Sequence, residues 1–196
     1  MPNWSLFDFY FLVVFIISFI IRVPHEKVNR NSVIIKSKFD SLEKVGLFFV
    51  GSGALIFPLI YLFTPLFNFA NYNVNPWTAS AGAILSIPGL WLFWRSHNDL
   101  GRQFSPKLEI KESHALITEG VYKHIRHPMY SASLLNSISQ LLLIGNWIVA
   151  PSYLLSFSFL YLTRVKREEA LMLKQFGESY KNYMNNTNRL FPKYLE

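Results

Sequence analysis

The sequence predicts an all-α fold: a polytopic membrane helical bundle of about five transmembrane helices with a cytoplasmic C-terminal amphipathic helix. Three observations predict it. Only 16% of the 196 residues are charged, against roughly 25% in an average soluble domain, while 51% are hydrophobic. Two long stretches lack Asp, Glu, Lys and Arg altogether, 50 residues at 45–94 and 35 at 129–163. The 19 Lys and Arg are confined to three blocks, at 22–44, 95–126 and 164–193. Five spans alternate sides, and these blocks are the ones that alternation puts on a single side.

The first segment, 5–22, carries only Asp8 between Leu6 and Ile21. Arg22 follows it, and it has neither a basic leader nor a small-x-small cleavage site, so it reads as an uncleaved anchor. A helix rises about 1.5 Å per residue, so a ~30 Å hydrocarbon core takes roughly 20 apolar residues. The 50-residue stretch therefore holds two spans, 45–67 and 77–95, separated by the polar, proline-containing segment 68–76. Pro58, Pro65 and the pair Pro88-Gly89 are expected to kink their helices. Ala79, Gly82, Ala83 and Ser86 form small-x-x-x-small pairs suited to close helix packing.

The 35-residue stretch is broken at Gly145-Asn146, giving segments 128–144 and 147–163. Its halves are short for spans and fit a bent helical hairpin or two thinly spanning helices equally well. The tail continues the fifth helix. Val165, Met172, Leu173, Phe176, Tyr180, Tyr183 and Met184 recur at helical spacing opposite Lys166, Arg167, Lys174 and Lys181, the pattern of a helix on a membrane surface.

Positive charge places the N-terminus outside and the C-terminus in the cytoplasm. Trp4, Trp77 and Trp147 fall at the outer interface, with Trp91 and Trp94 at the inner one, as aromatic belts require. The host is the cell membrane in a prokaryote or the endoplasmic reticulum in a eukaryote. Two parts are expected: residues 1–95, with three transmembrane helices and a basic loop, and residues 96–196, the core that carries chemistry.

Several function classes drop out. With no cysteine there is no thiol nucleophile or thiolate metal site. His124 and His127 are three apart, but no H-E-x-x-H or similar ligand set exists, and no metal is expected. No G-x-S-x-G elbow or P-loop occurs. Topology accounts for the basic residues, so nucleic acid is not an expected partner. The main polar residues within the spans are Asn136 and Gln140, which makes no ion path.

Chemistry is left to two cytoplasmic regions, 97–127 and 164–196. Gly101 and Gly120 supply turns. Pro128 suits the first position of the fourth helix, which sets Arg126 and His127 at a helix N-terminus, where an anionic group is favoured. Arg164 and Glu168 are four apart, on one helix face, where the fifth span leaves the bilayer.

Leu116-Ile117-Thr118-Glu119-Gly120-Val121-Tyr122, followed by Arg126-His127-Pro128-Met129-Tyr130, resembles the cofactor signature of the isoprenylcysteine carboxyl methyltransferase family, which is grouped with the phospholipid methyltransferases. Arg164, Glu168-Glu169, Phe176-Gly177-Glu178 with Tyr180 and Tyr183, and the closing Arg189-Leu190-Phe191-Pro192 continue it, over roughly residues 97–192. The resemblance implies S-adenosyl-L-methionine as methyl donor, with S-adenosyl-L-homocysteine as product. By motif position, His114, Ala115, Leu116, Ile117 and Tyr122 would surround the cofactor. His127, Pro128, Met129 and Tyr130 would form an adjoining wall, and Glu168 would hold the cofactor or complete its pocket. Arg164 would meet the substrate, and Arg164 and Glu168 would be the catalytic pair. The segment between Phe104 and His114 does not match the family pattern cleanly, and a residue near 107–109 is a further candidate.

Methyl transfer from a sulfonium is an in-line displacement that needs alignment and exclusion of water. A carboxylate acceptor, with a pKa near 4, is already ionised at neutral pH and needs only an orienting partner, such as a two-pronged Arg. An amine acceptor must lose a proton, and Glu168, Glu169 or a histidine would serve as base. Arg164 favours the carboxylate. The expected acceptor is a lipophilic or prenylated molecule entering from the bilayer among the membrane lipids, while the oligomeric state is not legible. The alternatives are a phospholipid N-methyltransferase, an NADPH-dependent membrane sterol or isoprenoid reductase, and a non-enzymatic membrane protein.

Overall fold

In the computed structural model, residues 4–29, 34–37, 40–105, 109–111 and 115–193 are described. The chain runs α1 (Leu6–Asn29), β1 (Ile34–Ser37), α2 (Ser41–Gly51), a π-helical turn (Ser52–Ile56), α3 (Phe57–Phe63), α4 (Pro76–Leu100), β2 (Glu109–Lys111), α5 (Pro128–Leu143), α6 (Val149–Phe176) and α7 (Glu178–Asn186). Short 3₁₀ turns lie at Asn68–Ala70, Gly101–Gln103 and Gly120–Lys123.

Helix starts follow local chemistry. Asp40 caps α2 by accepting from the Glu43 amide at 3.0 Å, and Asn75 caps α4 by accepting from the Trp77 amide at 2.9 Å. Pro76 and Pro128 sit in first turns, where a missing N–H costs nothing. Asp8, in the first turn of α1, accepts from the Ser5 amide and hydroxyl and from the Tyr61 hydroxyl at 2.7–2.9 Å. The only acidic residue of the first apolar segment is thereby satisfied at the positive end of its helix.

Leu6–His25 and Ser41–Phe63 are long and apolar enough to cross a membrane, with mean hydropathies of 2.3 and 2.1. Only 17% and 28% of these windows are buried inside the protein, so their apolar side chains face outward. Phe9, Ile20, Phe48, Ile84, Ile87, Leu155 and Leu162 are exposed on the helix surfaces in the same way. Lipid is the solvent that such a surface suits.

The helices pack on small residues. A Cβ at Gly82 would meet the Leu142 side chain at 2.8 Å, and the Ser139 hydroxyl donates to the Gly82 carbonyl, so α4 and α5 touch backbone to backbone. Gly46 abuts Leu160, and Gly53 abuts the Ser152 carbonyl, which brings α2 equally close to α6. Gln140 donates to the carbonyls of Gly53 and Val149 at 3.1 and 2.8 Å, tying α5 to the π-helical turn and to the start of α6. Both Gln140 and the small-residue stripe serve packing.

At one end of the bundle the breaks expected at 68–76 and 145–146 meet. Asn146, fully buried, donates to the Phe67 carbonyl and to Asn71 Oδ1, and its own Oδ1 accepts from the amides of Ile148 and Val149. The Tyr72 amide donates to the Gly145 carbonyl at 2.9 Å.

β1 and β2 add one short antiparallel pairing, across an irregular register, to an otherwise helical fold. Two expectations need correction. Pro65 does not kink a helix but lies beyond one. The residue before a proline is forced out of the α region, and Thr64 is extended at φ −136°, ψ 157°, which ends α3 at Phe63. The tail is not one helix either. Gly177, at φ +54°, stops α6, and α7 starts in a new direction.

Candidate active site

α6 spans 28 residues, about 42 Å. Its last three turns project beyond its apolar part and carry Arg164, Glu168 and Glu169. The turn at Gly177 then sends the chain back. α7 buries Tyr180 and Tyr183, and the Tyr183 hydroxyl donates to the Tyr122 carbonyl at 2.6 Å. Beyond α7 the strap 187–190 runs beside the start of α5: the Arg126 amide donates to the Asn188 carbonyl and the His127 amide to that of Arg189, at 2.9 and 3.0 Å. The Ser131 hydroxyl donates to the Leu190 carbonyl at 2.6 Å.

The preceding turn is fixed by Gly120. Its φ is +58°, and a Cβ there would stand only 2.1 Å from Asp99 Oδ2, so the position accepts nothing larger than hydrogen. Asp99 takes the Val121 amide at 2.9 Å and pairs with Arg95 at 2.8 Å.

Two charge clusters result, joined by His127. In the first, the Tyr130 hydroxyl donates to Glu168 Oε2 at 2.5 Å, and Arg164 Nε lies 3.6 Å from the same oxygen. Arg164 Nη1 lies 3.3 Å from Glu43 Oε1, an acid from α2. The Tyr130 ring stacks on His127 and meets Tyr161 edge-on, with centroids 5.3 and 5.5 Å apart.

In the second, Glu169 takes Arg189 through both its oxygens at 2.5–3.1 Å and Arg126 at 3.3 Å. Arg126 also donates to the carbonyls of Met184 and Thr187. His127 lies between the clusters, with Nδ1 3.8 Å from Glu168 and Nε2 3.4 Å from Glu169. Burial would push the Glu169 carboxyl up. The hydrogen bonds from His127 and Arg189, with their charges, outweigh it and hold the group at about 2.

Arg126, Tyr161, Asn188, Arg189, Leu190 and Phe191 line an open cleft of about 440 Å³ over the second cluster. Glu168, 30% exposed through its side chain, is the solvent-reachable member of the first.

The residues singled out from the sequence divide into three groups. Arg164, Glu168, His127 and Tyr130 converge. Pro128 is buried at the start of α5, Met129 is half-buried beside it, and Tyr122 is buried under α7 with its hydroxyl 3.4 Å from the Ser96 carbonyl. Ala115, exposed, and Leu116 and Ile117, half-buried, lie on the run before Gly120 without a hydrogen bond to either cluster among the described residues. His114 and positions 107 and 108 lie outside the described residues. Sequence reasoning missed Glu43. It lies just before the second apolar stretch, which begins at Val45. The available signal was the Asp40-x-x-Glu43 capping pattern, which starts the helix at Ser41, four residues before that stretch.

A family model described as the isoprenylcysteine carboxyl methyltransferase family matches residues 83–174, which hold the start of α5, Arg164 and both glutamates. Over that stretch the chain is similar to that family. Protein-S-isoprenylcysteine O-methyltransferase A of Arabidopsis thaliana is 26% identical over 132 residues, covering 66% of this chain and 67% of the plant protein. The Schizosaccharomyces pombe protein-S-isoprenylcysteine O-methyltransferase is 31% identical over 115 residues, 58% of this chain and 48% of its own. The human protein of that name is 29% identical over 109 residues, 55% of this chain and 38% of its own. The chain thus spans about two thirds of the plant relative and half or less of the other two. The solved structure of the eukaryotic intramembrane Ras methyltransferase, an isoprenylcysteine carboxyl methyltransferase, superposes with a TM-score of 0.52 at 24% identity, covering 79% of this chain and 54% of that one. The helical bundle therefore shares the fold of that solved structure.

Proposed function

We propose that the protein is an integral membrane methyltransferase that uses S-adenosylmethionine and methylates the carboxylate of a lipophilic, prenylcysteine-like acceptor at the cytoplasmic interface. The observation that carries this reading is the convergence of Tyr130, His127, Glu168 and Arg164 where α6 leaves its apolar stretch.

The donor set suits the cofactor. Glu168 offers a reachable carboxylate to a cation, and Tyr130 and Tyr161 offer aromatic faces. His127 to Tyr130 and Glu168 would hold it, with Tyr122 supporting that wall and Ala115 to Ile117 and His114 contributing from the preceding run. When bound, S-adenosylmethionine supplies an electrophilic methyl group on a sulfonium.

Arg164 presents a planar fork that matches a carboxylate and holds it along one line of approach. No base is needed, because such an acceptor is ionised at neutral pH. The tail strap over the start of α5 keeps water from the reacting atoms. A lipid acceptor enters sideways between helices, while the cofactor comes from the aqueous side. The basic blocks and tryptophan positions support five spans, with the N-terminus outside and the site in the cytoplasm.

Calorimetric titration of the detergent-solubilised protein tests the cofactor half. S-adenosylhomocysteine should give binding heat and NADPH none. Glu168→Ala should abolish the heat. Arg164→Lys, which keeps the charge opposite Glu43 but removes the fork, should spare cofactor affinity and lower turnover at least about tenfold. Heat with NADPH alone would transfer the site to a reductase. Loss of both properties in Arg164→Lys would overturn the division of roles.

A further inference from the structure

Glu43 stands outside the family match and outside the motifs that carry the family resemblance. Its carboxylate is fully buried at the first turn of α2, 3.3 Å from Nη1 of Arg164, itself only 8% exposed. The placement is built, not incidental. Asp40 caps the same helix and reaches Arg167 at 2.5 Å, so residues three apart on α2 meet residues three apart on α6 in two rungs, one at the surface and one buried. One turn further on, Gly46 lets α2 close onto Leu160 with no side chain between them.

Burying a carboxylate is costly unless a cation compensates it, and a buried pair loses several kcal/mol when one partner is removed. Arg164 has two acids beside it, the buried Glu43 from α2 and the partly exposed Glu168 on its own helix. A guanidinium held at Nη1 by one and near Nε by the other cannot turn about its own stem.

We infer that Glu43 is a positioning residue for methyl transfer: it fixes the Arg164 guanidinium in the orientation that receives the acceptor carboxylate, and so brings an N-terminal membrane helix into the reaction. This rests on the proposed function. Glu43 touches neither cofactor nor acceptor, and it acts through Arg164. The neutral isostere removes the charge while keeping the shape.

The test pairs Glu43→Gln with Glu43→Asp in the full-length protein. Three readouts are taken: steady-state kinetics with a prenylcysteine acceptor, calorimetric affinity for S-adenosylhomocysteine, and the rate at which phenylglyoxal modifies Arg164, followed by mass spectrometry. In Glu43→Gln, kcat/KM should fall at least about tenfold, cofactor affinity should stay within about twofold, and Arg164 should be modified several-fold faster. Glu43→Asp should recover part of both changes. Faster labelling with unchanged kinetics would overturn the positioning role, as would unchanged labelling. Cofactor affinity falling in parallel with kcat/KM would reduce Glu43 to a structural residue. If the wild-type protein transfers no methyl to prenylcysteine while labelling still accelerates in Glu43→Gln, the proposed function fails and the hold on Arg164 stands. The role in methyl transfer then falls with that function.

Discussion

Glu169 shows how one side chain joins the tail to the bundle. It sits on α6, yet its partners come from before α5 and from the strap after α7. Its carboxyl titrates at about 2 in the folded protein, below the ordinary 4.5, so the folded state binds this proton less readily than the unfolded one. The stabilisation is fully present above about 4.5 and drains away as pH falls toward 2. Thermal unfolding followed between pH 6 and 2.5 should show this loss, and Glu169→Gln should flatten that part of the profile. An identical slope in the variant would assign the effect to other acids. Arg126, Arg189 and the two glutamates were all visible in the sequence as motif members. Their sorting into two clusters was not, because spacing along α6 shows which residues share a face but not what arrives opposite.

Helices were the most legible elements, since charge-free length and capping residues act locally. The hairpin between α5 and α6 was ambiguous on length alone. In the structure α6 runs on beyond the apolar stretch, and Asn146 is buried at the turn between the two helices. That residue serves four groups: two acceptors across the loop and two amides at the start of α6. Asn146→Ala removes all four bonds, the one to the buried Val149 amide among them, and should cost about 1–2 kcal/mol, read as a lowered midpoint in denaturant titration of the solubilised protein. An unchanged midpoint would mean that the loops are held by their backbone bonds alone. The β1–β2 pairing and the end of α3 at Thr64 escaped the sequence reading for opposite reasons. The first joins segments more than 70 residues apart, whereas the second is a local effect of Pro65 on the conformation of Thr64 before it.

At the scale of the molecule, the outward-facing apolar surface, the basic blocks and the folded-back tail describe a bundle with one wet, charged end. The chain has no native cysteine, so single substitutions report cleanly. Cysteines placed at the exposed positions Lys123 and Lys174 should react with an impermeant maleimide from one side of sealed vesicles, and those at Phe69 and Trp147 from the other. Labelling of 123 and 174 from opposite sides would separate the strap from the start of α5 and dismantle the site. What most directly decides the function is transfer of a labelled methyl group from S-adenosylmethionine by the purified protein, offered a prenylcysteine and a phosphatidylethanolamine side by side. Base-labile label on the prenylcysteine, lost in Arg164→Lys, is the expected result. Label on the lipid amine alone, or on neither, would contradict a carboxyl methyltransferase.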